Sequence, residues 1–265
     1  MSRPDCGWWL ALVPAVLLVG SSASARDPMD VDLALVLAVD VSSSMDAEEQ
    51  DLQRRGYVDA FRSAAVLSAI RGGGIGRIAV IYVDWSDAFD QRIVVPWTVI
   101  GDGEQAMGFA RTLEEKPTRS ALGATSISGA LDFGRRLLMT SPYPATRRVI
   151  DISGDGKNNH GASVARARAA TLFEDITING LPLVFKNRDR PPDLWNDVER
   201  YYRDCVIGGF GAFTIPVFRA AQFADAIRDK LVREIAAPVP DPALARASGE
   251  PPVDCREGAV NKSRR

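Results

Sequence analysis

The sequence has one histidine, His160, and three cysteines, Cys6, Cys205 and Cys255. No two of these have the close Cys/His spacing of a zinc centre, so structural zinc is disfavoured. There is no G-x-S-x-G segment, and a lone histidine leaves any hydrolytic nucleophile to be activated by a carboxylate. Excess charge is also missing: 32 Lys and Arg face 34 Asp and Glu, a formal net charge of -2. A chain so balanced has no electrostatic footprint for polyanions, and nucleic acid is disfavoured as a partner. Long apolar runs are scarce as well. The apolar run of residues 8–20, which carries no charge, falls short of the roughly 20 residues that a membrane span needs, and no other run is long and apolar enough.

That stretch lies in a recognisable context. Arg3 precedes it, with Asp5 weakening the basic end, and Ala23-Ser24-Ala25 follows. A basic start, an apolar run and small residues make the pattern of a secretory signal peptide. Residues 1–25 are therefore expected to be a signal peptide, with mature protein beginning at Arg26 and exported to the periplasm or secreted. Cys6 would leave with it, and stands before the apolar run, where lipidation does not occur. Cys205 and Cys255 remain; in an oxidising compartment they form either one disulfide or two free thiols, and sequence does not choose.

With 265 residues, 46% of them hydrophobic, the chain can bury a substantial core. Strand-like and helix-like segments alternate without internal repeat, which predicts a parallel sheet covered on both faces. Residues 31–39 are almost continuously apolar, as a central buried strand should be. Residues 77–85 and 91–100 read as a hairpin, its second strand placed at the sheet edge by Pro96. Residues 147–152, 176–184 and 212–217 complete six strands. Helices are expected over residues 46–70, where Leu52, Val58, Phe61, Ala65 and Ile70 share a face, and over 103–113, 126–138, 163–173, 194–203 and 220–235. The fold class is thus α/β: a doubly wound, mostly parallel six-stranded sheet with one antiparallel edge strand, in a domain spanning 26–237. Residues 238–265, rich in Pro and ending in Lys262, Arg264 and Arg265, are expected to be a disordered tail.

In doubly wound sheets ligands bind beyond the carboxyl ends of the strands, near the switch in strand order. Three loops there carry oxygen donors. Asp40-Val41-Ser42-Ser43-Ser44 follows the first strand; Thr125 lies in Gly123-Ala124-Thr125-Ser126-Ile127; Asp155 ends Ile152-Ser153-Gly154-Asp155. Carboxylate and hydroxyl oxygens suit hard cations such as Mg²⁺, Mn²⁺ or Ca²⁺. The D-x-S-x-S segment alone is equally compatible with an N-cap cluster, because Ser and Asp favour helix starts.

Together the three segments resemble the metal-ion-dependent adhesion site of the von Willebrand factor A (vWA) family, in order and in spacing, over about residues 30–237. The closest likeness is to exported bacterial proteins with this domain and no assigned function. The resemblance implies that Ser42, Ser44 and Thr125 ligate a divalent cation directly, that Asp40 and Asp155 hold coordinated waters, and that an open position accepts a partner's carboxylate. Two departures stand out. Gly154 occupies the place before the aspartate where the family more often has threonine, and Ser126 offers a hydroxyl next to Thr125.

Lesser candidates have plainer explanations. His160 reads as an exposed loop residue. Asp84, Asp87 and Asp90 read as a solvated turn more readily than as a weak Ca²⁺ site. Trp195, Tyr201 and Tyr202 read as packing residues. Asp151 is either an acceptor supporting the site or a solvent-facing strand residue, and the second is favoured. Gly72, Gly73 and Gly74 follow a helix, so they are not a dinucleotide fingerprint. The function expected is a non-catalytic, metal-dependent protein-binding module with an unidentified partner. A metal-assisted envelope hydrolase and a structural envelope subunit are the alternatives.

Overall fold

A computed structural model describes residues 29–119, 121, 123–184, 197–237 and 255. The expected signal peptide and nearly all of the expected tail lie outside these residues, as does Trp195.

Five strands form one sheet in the order β3-β2-β1-β4-β5: β1 Val31–Asp40, β2 Ile78–Trp85, β3 Gln91–Ile100, β4 Ala145–Gly154 and β5 Ile176–Pro182. Strand β1 pairs in parallel with β2 and β4, β4 in parallel with β5, and the edge strand β3 is antiparallel to β2. Central position explains the apolar run of β1, which must bury both of its faces. Its odd-numbered residues Leu33, Leu35, Leu37 and Val39 join one core with α1 (Ala47–Arg62), α2 (Ala64–Arg71), α3 (Gly103–Glu115) and α7 (Phe223–Ala236). Its even-numbered residues Ala34, Val36 and Ala38 join another with α4 (Ile127–Met139), α5 (Val164–Phe173) and α6 (Asp197–Tyr201).

The structure corrects the sequence reading in three places. The segment 212–217 is not a continuous sixth strand; it touches the sheet at isolated bridges, Gly180 to Thr214 and Leu183 to Val217. Pro216 lies between them without an N–H to donate, and Gly209 and Gly211 turn the approach with φ of 95° and 65°. The helix expected over 46–70 is two helices, because Ser63 accepts the Val66 N–H as the cap of α2 and donates to Ala60 O. Helix α6 runs directly into a π turn, Tyr202–Val206, in which the Ile207 N–H reaches back to Tyr202 O at 2.9 Å. Within that turn Cys205 is disulfide-bonded to Cys255, which settles the thiol alternative.

Candidate metal centre

The sheet winds one way from β1 to β2 and the other way from β4 to β5, so its switch point lies between β1 and β4. Asp40 is the last residue of β1, and Asp155 follows the last residue of β4. Two adjacent parallel strands therefore deliver two carboxylates to the same crevice.

Local capping decides what the hydroxyls between them can do. Helix α1 starts with Asp46, whose side chain accepts from Glu49 N while the Glu49 carboxylate accepts from Asp46 N, both at 2.9 Å. This capping box uses neither Ser42 nor Ser44. Helix α4 starts with Ser126, whose Oγ accepts from Gly129 N at 3.2 Å and bonds Ser128 Oγ at the same distance. Thr125 is thus spared from capping, while Ser126 is engaged in it.

The spared hydroxyls meet. Ser42 Oγ lies 3.0 Å from Ser44 Oγ and 3.4 Å from Thr125 Oγ1. Ser44 Oγ donates to Asp155 Oδ1 at 2.6 Å, and Ser42 N donates to Asp40 Oδ1 at 2.8 Å. All five predicted residues, Asp40, Ser42, Ser44, Thr125 and Asp155, are joined in one hydrogen-bonded network, Asp40 through the Ser42 backbone N–H. Asp40 and Ser42 are fully buried, Thr125 and Asp155 nearly so, and Ser44 is exposed, so the cluster opens to solvent on one side. No nitrogen or sulfur enters the set, and among the described residues no group of three His, Cys, Asp and Glu converges. Two carboxylates and three hydroxyls are a hard-cation donor set, which these residues fit.

Several supports escaped the sequence reading. Asn159 clamps Thr125 from both sides, accepting from Thr125 N and donating its own N–H to Thr125 O, each at 2.9 Å. Asn158 accepts from Ser128 N at 2.9 Å and donates to Ala162 O at 3.1 Å. Buried Gln53 donates to Asp40 O at 3.3 Å and accepts from Ser153 Oγ at 2.6 Å, tying β1 to β4 just below the site. The Asn158-Asn159 pair in a loop after a strand was the available signal. Gln53, in the middle of a helix, offered none.

Gly154 has a structural reason. A Cβ there would lie 2.7 Å from Tyr202 Oη and 2.8 Å from Asp40 Oδ2, a clash for any side chain. Tyr202 packs in the core as expected, fully buried, but its hydroxyl lies against Gly154, as Asp40 Oδ2 does, and has no hydrogen-bond partner among the described residues. Burial raises its pKa well above the usual phenol value, and the Asp40 and Asp155 carboxylates add to the rise.

The lesser candidates separate. His160 is exposed, and its Nδ1 accepts from Ala88 N at 3.4 Å. Asp87 accepts from Phe89 N and Asp90 pairs with Arg119 at 2.8 Å, but Asp84 is no turn residue: it is buried against Arg54 at 3.3 Å. Its burial pushes the Asp84 pKa up to about 6, against the pull of Arg54. Asp151 does not face solvent either. It is 1% exposed, lies 2.6 Å from Lys230 Nζ, and shares that ammonium with Glu234. Alternation assigned it to the wrong surface because both faces of this sheet are covered. A cleft of about 1040 Å³ near these charges, lined by Arg147, Asn179, Phe213, Arg233 and Glu234, lies at the opposite ends of the strands from the candidate site.

Comparison with known proteins agrees with this architecture. A vWA protein from Catenulispora acidiphila superposes with a TM-score of 0.52 at 14% identity, over 77% of this chain and 43% of its own. The pilus adhesin SpaC from Lactobacillus rhamnosus GG gives 0.54 at 13% identity, over 80% and 30%. Proximal thread matrix protein 1 from the mussel byssus, with a zinc-occupied adhesion-site motif, gives 0.51 at 12% identity, over 78% and 47%. This chain thus spans less than half of each. At such identities the likeness concerns the fold, which is that of vWA domains. No curated protein matches the sequence. A family model covers residues 30–239. The chain belongs to that family, described as "Protein of unknown function (DUF1194)", here in the form of a vWA-type domain.

Proposed function

We propose that the chain is an exported, non-catalytic protein-binding module in which Asp40, Ser42, Ser44, Thr125 and Asp155 hold a divalent cation, Mg²⁺ or Mn²⁺ first, that bridges to a carboxylate of a protein partner. One observation carries this reading: three hydroxyls from two loops converge between two carboxylates although neighbouring residues do the capping. A capping cluster has no need of that convergence. The open side of the cluster, at exposed Ser44, is where a partner's carboxylate would enter. Phe89, 91% exposed in the turn between β2 and β3, stands at the same end of the sheet as an apolar contact for that partner. The hydroxyls now bonded to one another and to Asp155 would exchange those bonds for the ion. SpaC, which shares the fold, is an adhesin by name.

Calorimetry with Mg²⁺ and Mn²⁺ tests the reading. Wild type should bind one ion and gain RT ln(1 + [L]/Kd), about 2.7 kcal/mol at 100 times Kd. Asp40→Ala and Thr125→Ala should fold, bind at least tenfold more weakly, and lose both the metal-dependent rise in Tm and the EDTA-sensitive capture of envelope protein. A wild type that takes up no heat at millimolar metal defeats the proposal.

A further inference from the structure

We infer that Tyr202 is a positioning residue of the cation site, its phenol accepting a hydrogen bond from a water that the ion and Asp40 hold between them. The inference rests on the metal-binding reading and adds to the five oxygen residues a sixth group, from a different part of the chain.

Three observations carry it. First, Tyr202 Oη and Asp40 Oδ2 both close on Gly154, lying 2.7 and 2.8 Å from the point where a Cβ there would be, so the phenol oxygen is brought next to the Asp40 carboxylate. That approach is possible only because residue 154 has no side chain, and the two oxygens come from β1 and from the π turn. Second, the hydroxyl is fully buried and has no hydrogen-bond partner among the described residues. Such groups are rare, since a phenylalanine would fill the same volume without the desolvation cost. Third, Tyr202 opens a π turn, a wide turn that is uncommon within helices and recurs at functional sites. Cys205 of the same turn is bonded to Cys255, which fastens the turn to a distant part of the chain.

The chemistry of the ion supplies the missing partner. A water on a divalent cation has committed a lone pair to the metal and offers both protons outward. The Asp40 carboxylate can take one and the phenol oxygen the other, so the water is held in one orientation. Without the ion the phenol gains nothing from its position. A packing role and a positioning role therefore predict opposite behaviour on removing the hydroxyl.

The experiment compares wild type with Tyr202→Phe by calorimetry with Mg²⁺ and by melting with and without it. The metal-free variant should melt at the same temperature as wild type or higher, because the lost hydroxyl had no partner. Its Kd for Mg²⁺ should rise about tenfold, the loss expected for one hydrogen bond in a charged shell. A Kd within twofold of wild type overturns the inference while leaving the metal site intact. A wild type that binds no Mg²⁺ overturns both. A readout on wild type stands even if the variant fails to fold. Of the five tyrosine ¹³Cζ resonances in labelled protein, one should move on saturation with Mg²⁺, reporting the new bond at the phenol oxygen. A spectrum in which none moves also overturns the inference.

Discussion

Lys230, Asp151 and Glu234 place three ionisable side chains between α7 and the sheet at 1% exposure each. One ammonium serves two carboxylates, and Asn179 Nδ2 adds a bond to Glu234 at 3.0 Å. Burial, and next the Asp151 charge, push the Glu234 pKa from 4.5 up to about 7, with Lys230 pulling the other way. Folded protein therefore keeps a proton that unfolded chain has released between about pH 4.5 and pH 7. The stability this group contributes is complete below that window and is lost as pH rises through 7. Glu234→Gln carries no such proton. Urea unfolding at pH 5 and pH 8 should show wild type losing more stability across the interval than the variant; parallel losses would place the proton elsewhere. Alternation along β4 could not announce this cluster, because Asp151 reveals its surroundings only when α7 is laid over it. The five site residues were legible for the opposite reason. Asp40, Ser42, Ser44 and Asp155 lie within a few residues of a strand end, which an apolar run marks, while Thr125 lies in a glycine-bearing loop just before α4.

Strands and helices were legible where a local device fixes them. The run of β1, the Pro96 edge of β3 and the glycines that close α2 each act within a few residues. The failure at 212–217 depends on a partner distant in sequence, the edge strand β5, which the segment meets only at isolated bridges. At the start of α4 the two neighbouring hydroxyls divide their work, Ser126 capping the helix and Thr125 facing Ser42. Substitution should separate them. Ser126→Ala should cost about 1 kcal/mol of stability through the lost cap and leave Mg²⁺ affinity within threefold. Thr125→Ala should leave metal-free stability nearly unchanged and weaken the ion. Denaturant titration and calorimetry on both proteins decide; if Ser126→Ala were the variant that lost the ion, the assignment of the ligand to Thr125 would be wrong.

At the scale of the whole molecule, the Cys205–Cys255 bond ties the end of the chain to the body of the domain across 50 residues. Cys205 is 1% exposed in the core on the α4 and α5 side, and Cys255 packs against that core. In the chain-entropy account, a crosslink closing a loop of this length removes freedom from the unfolded state worth about 4 kcal/mol. At roughly 2–4 °C per kcal/mol for a domain of this size, the bond should raise Tm by roughly 8–16 °C. Disulfides persist in oxidising compartments and are rare in the cytosol, so the bond fits the export expected from residues 1–25. The expected measurement is therefore twofold. Protein recovered from the periplasm should resist thiol labelling at both positions, weigh two hydrogens less than the dithiol form, and melt at least 8 °C above Cys255→Ser. Protein of the same sequence held in a reducing cytosol should melt with the variant. Ready labelling of Cys205 and Cys255 in native exported protein, with a Tm equal to that of Cys255→Ser, would remove the crosslink and its share of the stability together.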